Sequence, residues 1–444
     1  MTKRFFGTDG VRGTVGEDPM SADFALRLAS AAAQVLVPAG GTVLIGKDTR
    51  LSGYMFESAL EAGFVAAGAD VLLLGPLPTP GIAYLTQCLD ASLGVVISAS
   101  HNRYDDNGIK FFDGAGCKLS DETELEIERF LSRPAITLES KSLGRAKRID
   151  TARRRYREFC ASTFPDDLNL SDVKVVFDGA NGAGYTVGPV TLSELGAEVI
   201  PIGCSPNGRN INDGCGSTHP ELLQQTVPAV RANAGIALDG DGDRVVMVDE
   251  LGKIVDGDQL LYILATARKR EGRLKGPVVG TVMSNLGLER ALEAHDIEFR
   301  RARVGDRYVL ETLCETGGII GGETSGHVIC LDRTTTGDGL ITALQVLAVM
   351  KQTARTLSDL ADGMPKFPQT MLNVPTGKSL DPSTSSKIRD AVSKVEGELA
   401  ESGRVVLRAS GTEPVIRVMV EGEDEDQVTL LAERLAAAVA EAAT

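Results

Sequence analysis

The sequence predicts an α/β protein of several domains, and three observations predict it. A strand–loop–helix–strand unit recurs three times in order along the first 305 of 444 residues. Within each unit short apolar runs alternate with amphipathic stretches, the pattern of strands covered by helices. After two closely spaced prolines the order changes to strand-like runs followed by one helix, which marks a smaller α+β unit at the C-terminus. The length agrees, at about 150 residues per domain.

The first unit opens at Val43 with VLIG, passes through a polar Gly-rich loop and a helical stretch, and closes with AGADVLLLG at Gly75. The second runs from VVFD at Val175 through GANGAG to LGAEVIPIG, closing at Gly203. The third runs from VVGTV at Val278 through SNLG to HDIEFRRARVG, closing at Gly305. Each spans about 30 residues, the size of a βαβ unit. Residues 132–147 are polar, basic and interrupted by Pro134, as expected of a connection. The arginines 153, 154, 155 and 157 open the next helix on a solvated face. Pro365 and Pro368 break the chain again, since proline cannot continue a helix. The last unit has strand-like runs at 405–407 and 415–420 and a closing helix. Acidic residues 423–426 favour that helix's N-terminus, and Val428, Leu431 and Leu435 share its apolar face. Domains are therefore expected at residues 1–150, 151–255, 256–366 and 367–444.

Composition narrows the function. A chain 43% hydrophobic and 24% charged, with a net charge of −15, is a globular protein whose field repels phosphate polymers and anionic lipid. Nucleic acid and membrane surfaces are thus excluded as partners, and an anionic substrate must meet a local cluster of arginine or lysine. Seven cysteines, an odd number without a CxxC pair, read as free thiols of a reducing compartment. The start of the chain reaches glycine and charge directly after Phe5 and Phe6, unlike a secretory leader, and no apolar run approaches the ~18 residues of a spanning helix. A cytoplasmic protein is expected.

Four segments can carry chemistry. Residues 98–102, SASHN, follow the apolar run 93–97, so Ser100 and His101 lie where α/β sheets present ligand-binding loops. The surroundings of Ser100 are not the GxSxG turn of a hydrolase. Asp239, Asp241 and Asp243, spaced by glycines between two strand-like runs, can curl around one hard cation, magnesium or calcium. Glu250 completes an EF-hand count from Asp239, but Arg244 stands at the required glycine and the flanks are strands, which rejects that reading. An Asp-x-Asp phosphatase loop would make Asp239 the nucleophile and leave Ser100 without a role. Residues 321–327, GGETSGH, offer Glu323 and Ser325 as hydroxyl partners suited to a sugar. Arg408, Ser410, Gly411, Thr412 and Arg417 combine a turn rich in N–H and hydroxyl donors with two guanidinium forks, a nest for a dianion.

Together and in this order, these loops resemble the α-D-phosphohexomutases over essentially the whole chain. FFGTDGVRG (5–13), NINDGCGSTH (210–219) and GDRYV (305–309) resemble the amino-sugar branch of that family. The resemblance implies three α/β domains with mixed sheets and a smaller α+β domain around one central cleft. They would carry in turn the phosphoserine loop, the metal loop, the sugar loop and a phosphate-binding loop. It implies that Ser100 is a phosphoserine that gives and takes the phosphoryl group, and that Asp239, Asp241, Asp243 and a Ser100 phosphate oxygen hold one Mg2+ per chain. Arg12, His101, Lys110 and Arg244 would surround the phosphoserine, with Lys110 or His101 as acid and base, Lys110 only if its pKa is lowered. Gly305, Asp306, Arg307 and Tyr308 would face the substrate, Glu323 and Ser325 would contact sugar hydroxyls, and Arg408, Ser410, Gly411, Thr412 and Arg417 would bind the phosphate that is not reacting. Two residues depart from the pattern: Arg103 stands where proline is common, and Thr324 where glutamine is.

The implied reaction interconverts glucosamine 6-phosphate and glucosamine 1-phosphate, primed by a sugar 1,6-bisphosphate, on the route to UDP-N-acetylglucosamine for cell-wall precursors. The implied partner is a small sugar phosphate, and the protein a monomer or homodimer. The alternatives are a mutase of mannose or glucose phosphates and a non-catalytic sugar-phosphate sensor. A sensor need not keep a phosphoryl carrier and its metal loop.

Overall fold

The computed structural model describes residues 3–7, 9–376, 385–409 and 415–443. Its first three sheets are variations on one plan. In the first, the strand Thr42–Lys47 lies between Asp70–Pro76 and Leu93–Ile97, both parallel to it, and Asp106–Asp113 runs antiparallel to Leu93–Ile97. In the second, Lys174–Asp178 lies between the parallel strands Glu198–Ile202 and Ala234–Leu238, and Val245–Asp249 returns antiparallel. In the third, Val278–Thr281 lies between Phe299–Ala302 and Ile320–Gly322, and Val328–Cys330 returns antiparallel. The threefold repeat in the sequence is thus a threefold repeat of mixed sheets. Added strands extend two of them: Val11–Thr14 and Ala146–Arg148 in the first, Ile254–Val255 in the second. Ala146–Arg148 is the one strand in the polar connection after Pro134.

The central strands, such as Leu93–Ile97, Ala234–Leu238 and Val278–Thr281, are short and apolar because both of their faces are covered, while edge strands such as Ala146–Arg148 and Glu198–Ile202 are partly or wholly exposed. Val43, Ile45, Val95 and Ile97 pack under the helices Ala22–Leu36 and Ser52–Ala66, through Phe24, Leu28, Phe56 and Leu60. Their neighbours Leu44 and Val96 face the other way, onto Ile82 of the helix Thr79–Cys88, and join a core that continues through the second and third units. Helix Gly339–Thr353 runs through that core with buried residues on every side, as a helix apolar all round must. Helix Ala152–Ser162 packs its Tyr156 and Cys160 inward and leaves Arg154 and Arg155 in solvent, the expected solvated face.

The C-terminal unit has its own core, built from Val374, Ile388, Leu399, Ile416, Val418, Val428, Leu431 and Leu435. Its sheet is antiparallel, ordered Gln369–Pro375, Val415–Gly422, Gly403–Ala409, and is covered by the helices Ser386–Leu399 and Glu425–Ala443. The strand Gln369–Pro375 and the helix Ser386–Leu399 were not expected. The strand is mostly exposed, buries only Val374 and ends in proline, so it carries little apolar signal; the helix does show an apolar stripe, Ile388, Val392, Val395 and Leu399, which the sequence reading passed over. Among the described residues no helix is long and apolar enough to cross a membrane, and all seven cysteines are free.

Candidate active site

Each of the three repeated sheets contributes the same loop to one site, the loop between its third and antiparallel fourth strand. In the first unit it follows Leu93–Ile97 and carries Ser100; in the second it follows Ala234–Leu238 and carries Asp239, Asp241 and Asp243; in the third it follows Ile320–Gly322 and carries Glu323 and His327.

Ser100 is buried and has φ of +51°, a left-handed conformation that a non-glycine residue adopts only when its surroundings impose it. They do so through a buried pair beneath the loop. Arg50 Nε donates to Asp48 Oδ2 at 2.8 Å, and Arg50 Nη2 donates to the carbonyls of Ser100 and Asn102 at 3.1 and 2.8 Å. Asn212 Nδ2 donates to the same two carbonyls from the second unit, at 2.8 and 2.9 Å. Ser98 Oγ donates to Asp48 at 2.6 Å and accepts from the Ser100 amide at 2.9 Å, so Ser98 is spent on the loop while Ser100 Oγ faces the second unit. There it donates to Asp239 Oδ2 at 2.5 Å. A Cβ at Gly240 would lie 2.5 Å from the Ser100 carbonyl oxygen, so the two loops meet this closely only because residue 240 is glycine.

Asp239, Asp241 and Asp243 are buried, with ligand oxygens all within 4.8 Å of one another. Burial first, then repulsion from Asp243 and Asp241, pushes the Asp239 carboxyl well above the ordinary carboxylate range. Asp241 Oδ1 and Asp243 Oδ1 are buried without a hydrogen-bond partner. Orphaned carboxylate oxygens on converging side chains are what a hard cation would satisfy, so the residues present fit magnesium.

The other oxygens of the triad draw in cations. Asp241 Oδ2 accepts from Lys110 Nζ at 2.9 Å and from Thr79 Oγ1 at 2.7 Å. Lys110 also lies 2.8 Å from Asp9, which pairs in turn with Arg12 and Lys118. Burial disfavours the Lys110 charge, but Asp241, Asp9 and Asp243 outweigh it and raise its pKa, so the lowered pKa required of Lys110 as a base is not what its carboxylates impose. His101 is the opposite case: burial, then Arg244 and Arg12, push its pKa down to about 4, leaving a neutral imidazole at pH 7. Its Nδ1 lies 3.4 Å from Ser100 Oγ and 3.0 Å from Arg244 Nη1.

Glu323 Oε1 accepts from the Gly305 amide at 2.9 Å, which joins the sugar loop to the 305–308 loop. Ser325 is exposed beside it, and Thr324 Oγ1 donates to the buried Asp258 at 2.8 Å. Asp306 and Arg307, expected to face the substrate, are both engaged by the first unit: Asp306 pairs with Lys118, and Arg307 Nη2 lies 3.1 Å from Glu124. His327 sits between Asp243 and Asp306, at 3.7 and 3.5 Å. In the C-terminal sheet Arg408 and Arg417 are paired across neighbouring strands. The pKa of Arg408 is lowered by burial and then by Arg417, and the Nε atoms of both are buried without a hydrogen-bond partner. Ser410, Gly411 and Thr412 lie outside the described residues.

Sequence reading did not single out Asp9, Asp48, Arg50, Lys118 or Asn212. Asp9 lies in the motif FFGTDGVRG and Asn212 in NINDGCGSTH, so their signals were present; Asp48, Arg50 and Lys118 act through contacts 50 to 188 positions away in the chain.

Family models match the chain over its length. They describe the phosphoglucomutase/phosphomannomutase alpha/beta/alpha domains I, II and III and the C-terminal domain, at residues 3–135, 154–252, 256–367 and 371–438. The phosphoglucosamine mutases of Thioalkalivibrio sulfidiphilus and Alkalilimnicola ehrlichii are each 58% identical over 443 residues, covering 99% and 100% of this chain and 98% of each relative. Among solved structures, a phosphoglucomutase/phosphomannomutase family protein of Burkholderia thailandensis has the same fold, with a TM-score of 0.80 at 24% identity over 98% of this chain and 97% of that one. So does the N-acetylphosphoglucosamine mutase of Aspergillus fumigatus, solved with GlcNAc-6P and magnesium, with a TM-score of 0.69 at 17% identity over 100% and 96%. Sharing all four domains of one family and more than half its residues with members of a single branch, the chain belongs to the phosphoglucomutase/phosphomannomutase family, among the phosphoglucosamine mutases.

Proposed function

We propose that the protein interconverts glucosamine 6-phosphate and glucosamine 1-phosphate, with Ser100 as the phosphoryl carrier and glucosamine 1,6-bisphosphate as the intermediate. The observation that carries this reading is the 2.5 Å contact of Ser100 Oγ with Asp239, which places a nucleophilic oxygen at the edge of three buried carboxylates. A phosphatase that used Asp239 as nucleophile would have no need of that serine.

Asp239, Asp241 and Asp243 would hold Mg2+ together with an oxygen of the Ser100 phosphate. A bound Mg2+ offsets the phosphoserine charge of about −1.5 to −2 and the charge that spreads over the transferring group. The protein's residues do the rest. Lys110, charged and buried among carboxylates, adds a fixed cation beside the reacting oxygens, and the Arg244 guanidinium approaches from the His101 side. As a sugar hydroxyl bonds to phosphorus, the bond from phosphorus to Ser100 Oγ breaks; the sugar oxygen loses a proton and Oγ gains one. The net transfer is one proton from the sugar oxygen to Oγ, which His101, 3.4 Å from Oγ, or Lys110, beside Asp241, would relay. Glu323 and Ser325 orient the ring through its hydroxyls. Arg408 and Arg417, with Ser410, Gly411 and Thr412, hold the phosphate that is not reacting. The bisphosphate then turns over and returns its original phosphate to Ser100.

A protein with seven free cysteines and no membrane-spanning helix among its described residues suits the cytoplasm, where the product would feed UDP-N-acetylglucosamine synthesis. Turnover of glucosamine 6-phosphate with Mg2+ and a bisphosphate primer tests the reading. A larger kcat/KM for glucosamine phosphate than for glucose or mannose phosphate supports it. Equal or reversed preference would make the protein a hexose-phosphate mutase, and no turnover of any of them would leave a sugar-phosphate sensor.

A further inference from the structure

The reaction needs the sugar, held by the third unit, to meet phosphorus on Ser100, carried by the first. Yet among the described residues no helix or strand of the first unit packs broadly on one of the third. A cavity of about 340 Å³ lies in their seam, and charged side chains bridge it. Lys118 pairs with Asp9 on its own side, at 2.5 Å, and with Asp306 on the other. Arg307 reaches back across the seam to pair with Asp121 and Glu124 and donates from Nη2 to the Leu119 carbonyl at 3.0 Å. Thr335 Oγ1 adds a hydrogen bond to the Gly116 carbonyl at 2.7 Å. Lys118, Arg307, Asp306 and Glu124 are each no more than 15% exposed at the side chain, so the Lys118–Asp306 and Arg307–Glu124 pairs are shielded from solvent and salt, whereas Asp121 is exposed.

Asp306 and Arg307 are the first two residues of the helix Asp306–Thr316, and the residue before them, Gly305, gives its amide to Glu323. We propose that Lys118 and Arg307 are positioning residues that fix the start of this helix against residues 118–124 of the first unit, and so set Glu323 and the sugar it holds at the right distance from Ser100. Arg307 acts through the loop and does not itself contact the sugar. Charge suits this task better than apolar packing, because paired charges fix register and orientation, and phosphoryl transfer is sensitive to displacements of about 1 Å.

The proposal rests on the mutase reading for its kinetic test and is separable from it. Asp121 and Glu124 lie on the first unit and belong to no loop that meets the sugar, so the variant Asp121→Asn/Glu124→Gln removes the charged partners of Arg307, and those of Lys3, while leaving the Leu119 carbonyl and the sugar loop in place. The expected result is a fall in kcat/KM of about tenfold, mostly through KM, both in this variant and in Arg307→Met. The three substitutions combined should be no worse than Arg307→Met alone, and Arg307→Lys should recover part of the loss. Independently of turnover, the amides of Tyr308 and Val309, which bond to the Gly305 carbonyl, should exchange hydrogen faster in both variants. Wild-type kinetics in the Asp121→Asn/Glu124→Gln variant, or losses that multiply when all three substitutions are combined, would make Arg307 a direct substrate contact and overturn the proposal. Faster exchange with unchanged kinetics would overturn it as well. Should Arg307→Met fail to fold, Arg307→Lys and the first-unit variant carry the same comparison. Absence of wild-type turnover would count against the mutase reading, and the strut would then be read from hydrogen exchange and from calorimetric binding of glucosamine 6-phosphate.

Discussion

At the scale of single residues, the site divides into groups that meet the reacting atoms and groups that hold them there. Asp241 is proposed to belong to the first kind, as a metal ligand: one oxygen is buried without a partner, and the other is shared between Lys110 and Thr79. Asp241→Asn should therefore weaken Mg2+ activation by at least about tenfold, because a neutral amide is a poor ligand for a hard cation. A magnesium titration of turnover checks this, with unchanged activation at limiting metal as the contrary result. Arg417 stands opposite Arg408 on the neighbouring strand, in the unit proposed to bind the second phosphate. Arg417→Ala should raise KM by at least about tenfold and lower kcat as well, since remote binding energy orients the reacting oxygen. Steady-state kinetics that stay at wild type while only the melting temperature moves would leave Arg417 a structural residue. Ser100 and the three aspartates were legible in the sequence because chemistry confines those residue types to short motifs. Arg50 was not, since it acts on the carbonyls of Ser100 and Asn102 from a segment 50 residues before Ser100, and no local pattern marks such a contact; Asn212, which meets the same carbonyls, was visible only as part of the motif NINDGCGSTH.

At the scale of elements, one loop used three times explains why the motifs stand in the order they do. Each is a loop between the third strand of a repeat and its antiparallel return, so Ser100, the three aspartates and Glu323, proposed as nucleophile, metal ligands and sugar contact, come one loop from each copy. The repeat itself was legible because short apolar strands and amphipathic helices leave a strong periodic signal. The edge strand Gln369–Pro375 was not, because it is mostly exposed and buries only Val374; the helix Ser386–Leu399 was passed over although Ile388, Val392, Val395 and Leu399 form an apolar stripe. The central helix Gly339–Thr353 depends on a polar device at its N-terminus. Asp338 caps it by accepting from the Ile341 amide at 2.9 Å, and also accepts from Tyr156 Oη at 2.8 Å. Burial pushes Asp338 up to about 6, although those hydrogen bonds pull the other way. The folded protein therefore binds a proton here that the unfolded chain, with an aspartate near ~3.9, releases, so this group's contribution to stability falls as pH rises from about 4 through 6. Tyr156→Phe removes a donor that favours the ionised form. It should destabilise by about 1–3 kcal/mol, and more at pH 8 than at pH 5, because hydrogen bonds to a charged acceptor are the stronger. Thermal melts at the two pH values measure this, and an equal or larger effect at pH 5 would contradict it.

At the scale of the whole molecule, the metal loop lies on the seam between the first two units, with Ser100, Lys110 and Thr79 reaching it from one and the aspartates from the other. Burying three carboxylates together is costly until a cation offsets their repulsion, so Mg2+ should raise the melting temperature and chelation lower it. Asp241→Asn should lose most of that response, and a melting temperature indifferent to Mg2+ would argue against a cation site. The central claim is that Ser100 carries the phosphoryl group, and mass spectrometry of the protein after exposure to isotopically labelled glucose 1,6-bisphosphate tests it most directly. The account predicts one phosphate of added mass located to Ser100, absent from Ser100→Ala and retained by Ser98→Ala, with unphosphorylated protein nearly inactive on the monophosphate until the bisphosphate is supplied. Label on Asp239, or an active Ser100→Ala protein without covalent label, would contradict it.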